Sequence, residues 1–301
     1  MDFDVVIIGG GPAGCSAALV LGRCRRKVLL VDHGKQRNLS SHALHAFITR
    51  DGTPPPEFLK LAREDALRYP TVTWRRGLVT DARAVEHGFQ VDLDGGGRVT
   101  AAKLLLATGV VDELPELPGL ERFYGRSVHH CPYCDAYEHS GEAIGIYGRG
   151  EKGVGLAMLL GVWSDDIVLF TDGPDDEARS CRQRLEEHRV VLCEQPVATL
   201  EGDDDGRLRQ VVLRDGTRIA RSTLFFNTGR HQRSPLAERL GCRFDEGAVA
   251  TDRPLEETSV PGVFVAGDAS KDLLLVVVAA AEGAKAAFAI NRALCREEGR
   301  H

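Results

Sequence analysis

A strand, a glycine-rich turn and a helix are written twice along this 301-residue chain, and the duplication leaves few folds open. The first copy runs Asp4-Val-Val-Ile-Ile8, Gly9-Gly10-Gly11-Pro12-Ala13-Gly14, then an Ala/Leu-rich stretch from Cys15 to Arg23. The apolar run reads as a buried strand and the stretch after the turn as a helix. The next strand, Lys27 to Val31, ends at Asp32. The glycine turn of the second copy begins 139 positions after Gly9, at Gly148. There Ala143 to Tyr147 is the strand, Gly148-Arg149-Gly150-Glu151-Lys152-Gly153 the turn, Val154 to Val162 the helix and Asp166 to Phe170 the following strand. Two such units predict an α/β protein of two Rossmann-like, three-layer domains, and the length suits two domains.

Each part of the first turn has a physical task. Gly9 permits the tight turn, Gly11 lets backbone approach a pyrophosphate, and Gly14 permits close helix–strand packing. Pro12 and Ala13 open the helix, whose N-terminal N–H groups and dipole favour phosphate. Asp32 stands where an acidic side chain accepts hydrogen bonds from ribose hydroxyls. These residues predict a dinucleotide site but do not choose between FAD and NAD.

Between the two copies, Pro54-Pro55-Pro56 starts a helix to about Tyr69, and residues 71 to 106 read as short strands with a turn at Asp94-Gly95-Gly96-Gly97. Pro115 and Pro118-Gly119 mark a linker, and Asp203-Asp204-Asp205-Gly206 a hairpin turn. A final helix is expected over Leu274 to Leu294, with Ala279-Ala280-Ala281 allowing close approach beneath the cofactor. Trp74 and Trp163 read as packing or surface residues. Net charge is −6, which leaves no basic footprint for nucleic acid. The longest strongly apolar run, Leu273 to Ala281, is far short of the ~20 residues that span a bilayer. No secretory leader is evident, and a cytoplasmic protein with mostly reduced thiols is expected.

Of eight cysteines, only Cys131-Pro132-Tyr133-Cys134 form a CxxC, followed by Asp135. Cysteines 15, 24, 181, 193, 242 and 295 supply no second pair, so no metal is expected. The tetrad resembles a glutaredoxin active site, but it follows a complete nucleotide-binding unit instead of opening a small domain. A redox-active pair is the reading, with one cysteine of the motif able to ionise near neutrality and a carboxyl beside it to exchange the proton. His130 precedes the motif and is a candidate to assist as cation or base.

Two further segments resemble motifs of two-dinucleotide-binding flavoproteins. Ala107-Thr108-Gly109 matches their ATG motif, and Thr258-Ser-Val-Pro-Gly-Val-Phe-Val-Ala-Gly-Asp268 their second flavin motif. The order of glycine turn, ATG, CxxCD, second glycine turn and GD resembles the low-molecular-weight thioredoxin reductases and their thioredoxin reductase-like relatives. Larger disulphide reductases carry their cysteine pair soon after the first glycine turn, where Leu39 to Arg50 holds none, and have a third domain. The resemblance implies FAD, held by Gly9, Gly11, Pro12, Ala13, Gly14, Asp32, Ala107, Thr108, Gly109, Gly267 and Asp268, with Asp268 on the ribityl chain. Asn38 and His45, after the second strand, are further candidates to contact the flavin. It implies that Cys134 exchanges electrons with the flavin, Cys131 engages the substrate disulphide, and Asp135 is the acid. It also implies a homodimer and a second domain inserted in the first: 1–113 and 243–301 bind FAD, and 114–242 is of pyridine-nucleotide type and carries the CxxC. If the family's domain rotation applies, its hinges lie near 113 and 243.

The second glycine turn departs from the family's GGGDSA at Arg149 and Lys152. Where the family has a His-Arg-Arg cluster for the 2′-phosphate, this chain has Thr171-Asp172-Gly173-Pro174-Asp175-Asp176-Glu177, with Arg179 and Arg182 out of register. Leu274-Leu275-Val276 stands where the family has an Arg-Gln-Ala stretch. Three donors stay open: NADH with Asp172 on the ribose, NADPH through other contacts, or no pyridine nucleotide. The leading function is an FAD-dependent dithiol/disulphide oxidoreductase acting on a thioredoxin-like protein or a small disulphide. The alternatives are an oxygen-dependent oxidase of small dithiols and a flavin-binding regulatory protein.

Overall fold

The computed structural model describes residues 1–252, 255–270 and 272–300. They fall into two compact units. Met1–Leu39, Ala46–Val111 and Arg230–His301 make the first; Ser40–His45 and Asp112–Gly229 make the second. The return to the first unit thus falls at 230, ahead of the 243 set from the sequence. The physical reason is burial: Leu236, Ala237 and Cys242 belong to the same core as Val6, Ile8 and Val265.

The centre of the first unit is a parallel sheet in the order Val263–Val265, Arg98–Leu106, Phe3–Ile8, Val28–Asp32, Val72–Arg76. Side chains alternate across a strand, so one sequence serves two layers. Val5, Ile7, Val28, Leu30 and Leu105 face the helix Pro12–Arg23 and the C-terminal helix Val276–Glu297. Val6, Ile8, Leu29, Val31, Leu104 and Leu106 face a second layer that includes Val79, Phe89, Val91 and Leu93. That layer is an antiparallel meander of Val79–Val85, Gly88–Leu93 and the start of Arg98–Leu106. The helix expected from Pro54 spans Pro55–Leu67, and the Arg63 guanidinium lies over Trp74 at 4.7 Å.

The second unit repeats this plan. Its parallel sheet runs Val190–Cys193, Ile167–Phe170, Ile144–Tyr147, Thr223–Phe226, Val128–His129. Ile144, Ile146, Ile167 and Leu169 pack on Val154, Ala157 and Leu160 of the helix Gly150–Leu160. Val168, Phe170, Leu224 and Phe226 pack on the antiparallel layer through Val197, Leu200, Leu208 and Val211. Among the described residues no helix is long and apolar enough to cross a membrane.

The final helix begins at Val276, two residues later than expected from the sequence, and its contact stripe differs from Ala279–Ala281. Ala279, Gly283, Ala286, Ala287, Ile290 and Leu294 are buried at helical spacing, whereas Ala281 is exposed. A Cβ on Gly283 would stand 2.0 Å from the Ala13 carbonyl oxygen, so the two helices meet backbone to backbone. Glu282, 3% exposed, accepts hydrogen bonds through Oε2 from the Gly267 N–H (2.7 Å) and the Ser270 hydroxyl (3.0 Å). Its Oε1 is buried with no described partner.

Two predictions follow from this packing. Gly283→Ala places a methyl against backbone that cannot swing aside, and is expected to destabilise by about 1–3 kcal/mol. Gly155→Ala, exposed on the helix Gly150–Leu160 with nothing within 4 Å of the new methyl, is expected to be neutral or to stabilise by up to ~1 kcal/mol. Urea unfolding of the two variants checks both. Burial pushes the Glu282 carboxyl up to about 7, against the lowering effect of the Gly267 and Ser270 donors and helped by the Glu256 charge. The folded state therefore holds a proton that the unfolded state has lost, and stability falls as pH rises from the ordinary glutamate value toward 7. Glu282→Gln should flatten that slope; an unchanged slope overturns the assignment.

Candidate functional site

In the first unit, the strand Phe3–Ile8 ends beside the ATG segment. Gly9 takes φ +113°, its N–H donates to the Val31 carbonyl (2.8 Å), and the Ala107 N–H donates to the Ile8 carbonyl (2.8 Å). A Cβ on Gly14 would meet the Gly9 carbonyl oxygen at 1.9 Å, so the helix sits directly against the turn. Pro12 occupies the first helical turn, Gly11 is the N-cap, and no described side chain caps the free N–H groups. Apart from Gly11 and its chain neighbours, no described atom lies within 4 Å of where a Gly11 Cβ would stand. Gly267, at φ +79°, lies against this helix start, its notional Cβ 3.1 Å from the Ala13 Cβ.

Asp32, 6% exposed, accepts from the Gly34 N–H (3.1 Å) and from the Gln36 amide at both carboxylate oxygens (3.0 Å each). A carboxylate offers roughly four acceptor positions, so capacity for a ribose hydroxyl remains. Asp268 pairs with the Arg37 guanidinium at 3.1 Å. The Arg233 guanidinium donates to the Val110 carbonyl and its N–H to the Gly109 carbonyl, fixing the segment after Thr108. Asn38 is half-buried in a turn of this unit. An uncapped helix end, open space at Gly11 and a buried carboxylate at the neighbouring strand end fit a dinucleotide.

The second unit carries the cysteine pair. Cys131 and Cys134 form a disulphide, with Cα atoms 5.3 Å apart. Cys131 caps the one-turn helix Pro132–Asp135, and its carbonyl accepts the Cys134 and Asp135 N–H groups (3.1 and 3.2 Å). That turn brings the two sulphurs together and places Asp135 beside them in sequence. Asp135 Oδ1 lies 3.3 Å from Nδ1 of His129, which is 5% exposed and packs on Phe225. His129 Nε2 faces His139 Nε2 at 3.2 Å, and His139 Nδ1 lies 2.8 Å from Glu142 Oε2. Tyr133 is exposed and stands edge-on to Trp163.

The second glycine turn is filled from within. The helix Gly150–Leu160 starts after Arg149, but the Gly150 N–H donates to Asp175 Oδ2 (2.7 Å) and the Glu151 N–H to Glu177 Oε2 (3.3 Å). Burial opposes the charge of Asp175, yet the Ala178 and Gly150 N–H groups and the Arg149 guanidinium hold its carboxyl below the usual range. Arg149 itself donates to the Thr171 and Pro174 carbonyls. Asp172 accepts from the Tyr147 hydroxyl and the Val197 N–H, both at 2.8 Å. Arg179 and Arg182 pair with Glu194 at 2.8 and 3.8 Å.

Gly9, Gly11, Pro12, Ala13, Gly14, Asp32, Asn38, Ala107, Thr108, Gly109, Gly267 and Asp268 all belong to the first unit. His45 does not. It counts with the second unit, where its Nε2 lies 3.4 Å from Glu138. His130 hydrogen-bonds the Tyr124 hydroxyl (3.1 Å) and lies 3.9 Å from Asp112. His129 ends the strand Val128–His129 and reaches Asp135, whereas His130 lies in the bend that follows. Sequence reading missed His129, His139 and Glu142 in this role, and also Gln36 and Glu282. No signal in the sequence says which of the two adjacent histidines meets Asp135.

Residues 3–283 match the family described as pyridine nucleotide-disulphide oxidoreductase. A protein of Arthroderma benhamiae described as a probable thioredoxin reductase is 34% identical, over 90% of this chain and 74% of its own length. The thioredoxin reductase sirT of Leptosphaeria maculans is 30% identical, over 96% and 93%. The solved structure of an oxidoreductase from Agrobacterium tumefaciens superposes with a TM-score of 0.90 at 38% identity, covering 98% of this chain and 99% of its own. With its glycine cradle and its Cys131–Cys134 pair, this chain belongs to the pyridine nucleotide-disulphide oxidoreductase family and is a thioredoxin reductase-like, flavin-dependent disulphide oxidoreductase.

Proposed function

We propose that the chain passes electron pairs between FAD and a substrate disulphide through Cys131 and Cys134, with pyridine-nucleotide binding that is atypical or lost. The observation that carries the reading is the Cys131–Cys134 bond with the Asp135 carboxyl next in the chain. In this reading the first unit holds FAD. Gly9, Gly11 and the start of the helix Pro12–Arg23 take its pyrophosphate, Asp32 the ribose, and Gly267 with Asp268 the ribityl chain. FAD, when bound, supplies a centre that takes up and releases two electrons.

The residues of the second unit do the exchange chemistry. Cys131 engages the incoming disulphide or thiol, Cys134 closes or opens the internal bond, and Asp135 gives or takes the proton of the departing sulphur. The substrate is a thioredoxin-like protein or a small disulphide, and the exposed Tyr133 inside the motif offers it an apolar surface. A second reading, dithiol oxidation with oxygen as the final acceptor, is favoured by the second glycine turn. Its Gly150 and Glu151 N–H groups, which would meet a dinucleotide phosphate, already hold Asp175 and Glu177. A phosphate entering there would displace one carboxylate and stand beside another, and like charges at that range repel.

Two measurements test this. Cys134→Ser is expected to lower turnover by on the order of 10³-fold and to stop flavin bleaching by dithiols; persistent turnover would overturn the assignment of the pair. Under anaerobic conditions, dithiothreitol should bleach the flavin of the wild-type protein, and NADPH or NADH should do so slowly or not at all. Rapid bleaching by micromolar NADPH would overturn the donor reading and leave the cysteine reading standing. Absence of bleaching by any dithiol would overturn the cysteine reading.

A further inference from the structure

Four side chains of the second unit stand in a row that starts at the cysteine pair. Asp135 Oδ1 meets His129 Nδ1 at 3.3 Å, His129 Nε2 meets His139 Nε2 at 3.2 Å, and His139 Nδ1 meets Glu142 Oε2 at 2.8 Å. The row runs outward in exposure: the His129 side chain is 5% exposed, that of His139 16% and that of Glu142 42%. Both nitrogens of both imidazoles are engaged. Ser222 adds its hydroxyl to Glu142 Oε2 at 3.0 Å and so anchors the outer end. Among the described residues no three such side chains converge to hold a metal ion.

The contact between the two imidazoles carries the argument. Two ring nitrogens 3.2 Å apart repel if both are bare and clash if both bear hydrogen, so one proton lies between them. The tautomers of His129 and His139 are therefore locked to each other, and the row has two fully bonded arrangements. In one, Asp135 is the carboxylate, His129 donates from Nδ1, His139 donates from Nε2, and Glu142 carries the proton. In the other, Asp135 carries the proton, His129 donates from Nε2, His139 donates from Nδ1, and Glu142 is the carboxylate. Moving each of three protons by one hydrogen bond converts the first into the second, with no ring rotation.

We propose that His129, His139 and Glu142 form a proton relay joining Asp135 to solvent during dithiol–disulphide exchange at Cys131–Cys134. This rests on the reading of Asp135 as the acid of that exchange. When a dithiol reduces the pair, its thiolate bonds to one sulphur, the Cys131–Cys134 bond breaks, and the electron pair stays on the departing sulphur. That sulphur takes the proton of Asp135, and the relay returns one to Asp135 from water at Glu142. The second thiolate of the dithiol then attacks its own sulphur in the mixed disulphide, and that S–S bond breaks. The dithiol leaves as a disulphide, and the freed cysteine thiolate takes a second proton from water. The two protons lost by the dithiol enter that water, so the exchange balances. In the reverse direction the relay carries the proton outward.

The test follows the disulphide itself, in the FAD-loaded protein, by rapid mixing with dithiothreitol, acid quench, alkylation and mass spectrometry of Cys131 and Cys134. Wild type should show a solvent deuterium effect with a curved dependence on D2O fraction, the mark of several protons in flight. His139→Ala and Glu142→Gln should each slow the exchange by about 10–100-fold, within the range of acid–base assistance. Added imidazole should restore the His139→Ala rate in proportion to its concentration, which a merely structural role would not produce. Glu142 is less buried than His139 and its amide variant keeps nearly the same shape, so Glu142→Gln keeps the test available should His139→Ala fold poorly. If Asp135→Asn slows the exchange while His139→Ala and Glu142→Gln match wild type, the relay is overturned alone. If Asp135→Asn leaves the rate unchanged, the reading of Asp135 fails and the relay with it.

Discussion

The close approach of two backbone segments at the first glycine turn governs what else this fold can do. With no side chain on Gly14, the helix Pro12–Arg23 seats against the Gly9 carbonyl, and the sheet, the turn and the helix become one rigid corner. Seating the helix there leaves its start without a side-chain cap and with open space at Gly11, and sets Asp32 at the neighbouring strand end. The same corner fixes where the final helix must cross, because Gly283 rests on the Ala13 carbonyl. The open corner at the turn and a packing constraint thus arise from one geometric fact.

The second unit builds a similar corner and puts it to another use. Its strands, helix and antiparallel layer repeat the plan of the first, yet the N–H groups at Gly150 and Glu151 are neutralised by carboxylates of the following segment. Helix N-termini favour negative charge from any source, and here Asp175 and Glu177 supply it from within the chain. The acidic run that looks incongruous beside a phosphate site in sequence is, in three dimensions, a capping arrangement. Asp172, Arg149, Arg179 and Arg182 are likewise committed to partners in the same unit.

Much of the strand and helix pattern was legible because burial on both faces of a parallel sheet demands uninterrupted apolar runs such as Val5–Ile8 and Ile167–Phe170. The pairing of Cys131 with Cys134 was legible because one helical turn spans their separation. The place of His45 was not: it lies after the second strand in sequence but counts with the unit that holds Glu138. The choice between His129 and His130 was equally hidden, since nothing local in the sequence marks the strand end that falls between them. His139 and Glu142 gave no signal at all, because the 3-10 turn Tyr137–His139 and the bend that holds Glu142 are too short to carry a periodicity.

By itself, the amino-acid sequence determined the doubled α/β plan, the glycine cradle with Asp32, and the cysteine pair with its carboxyl. Each depends on residues near one another in the chain, where sterics and periodicity act directly. Only the tertiary structure decided that Leu236, Ala237 and Cys242 join the first core, that Asp175 and Glu177 close the second turn, and that His129, His139 and Glu142 line up behind Asp135. Those are contacts among turns and strand ends, whose directions are set by the packed sheet and not by local propensity.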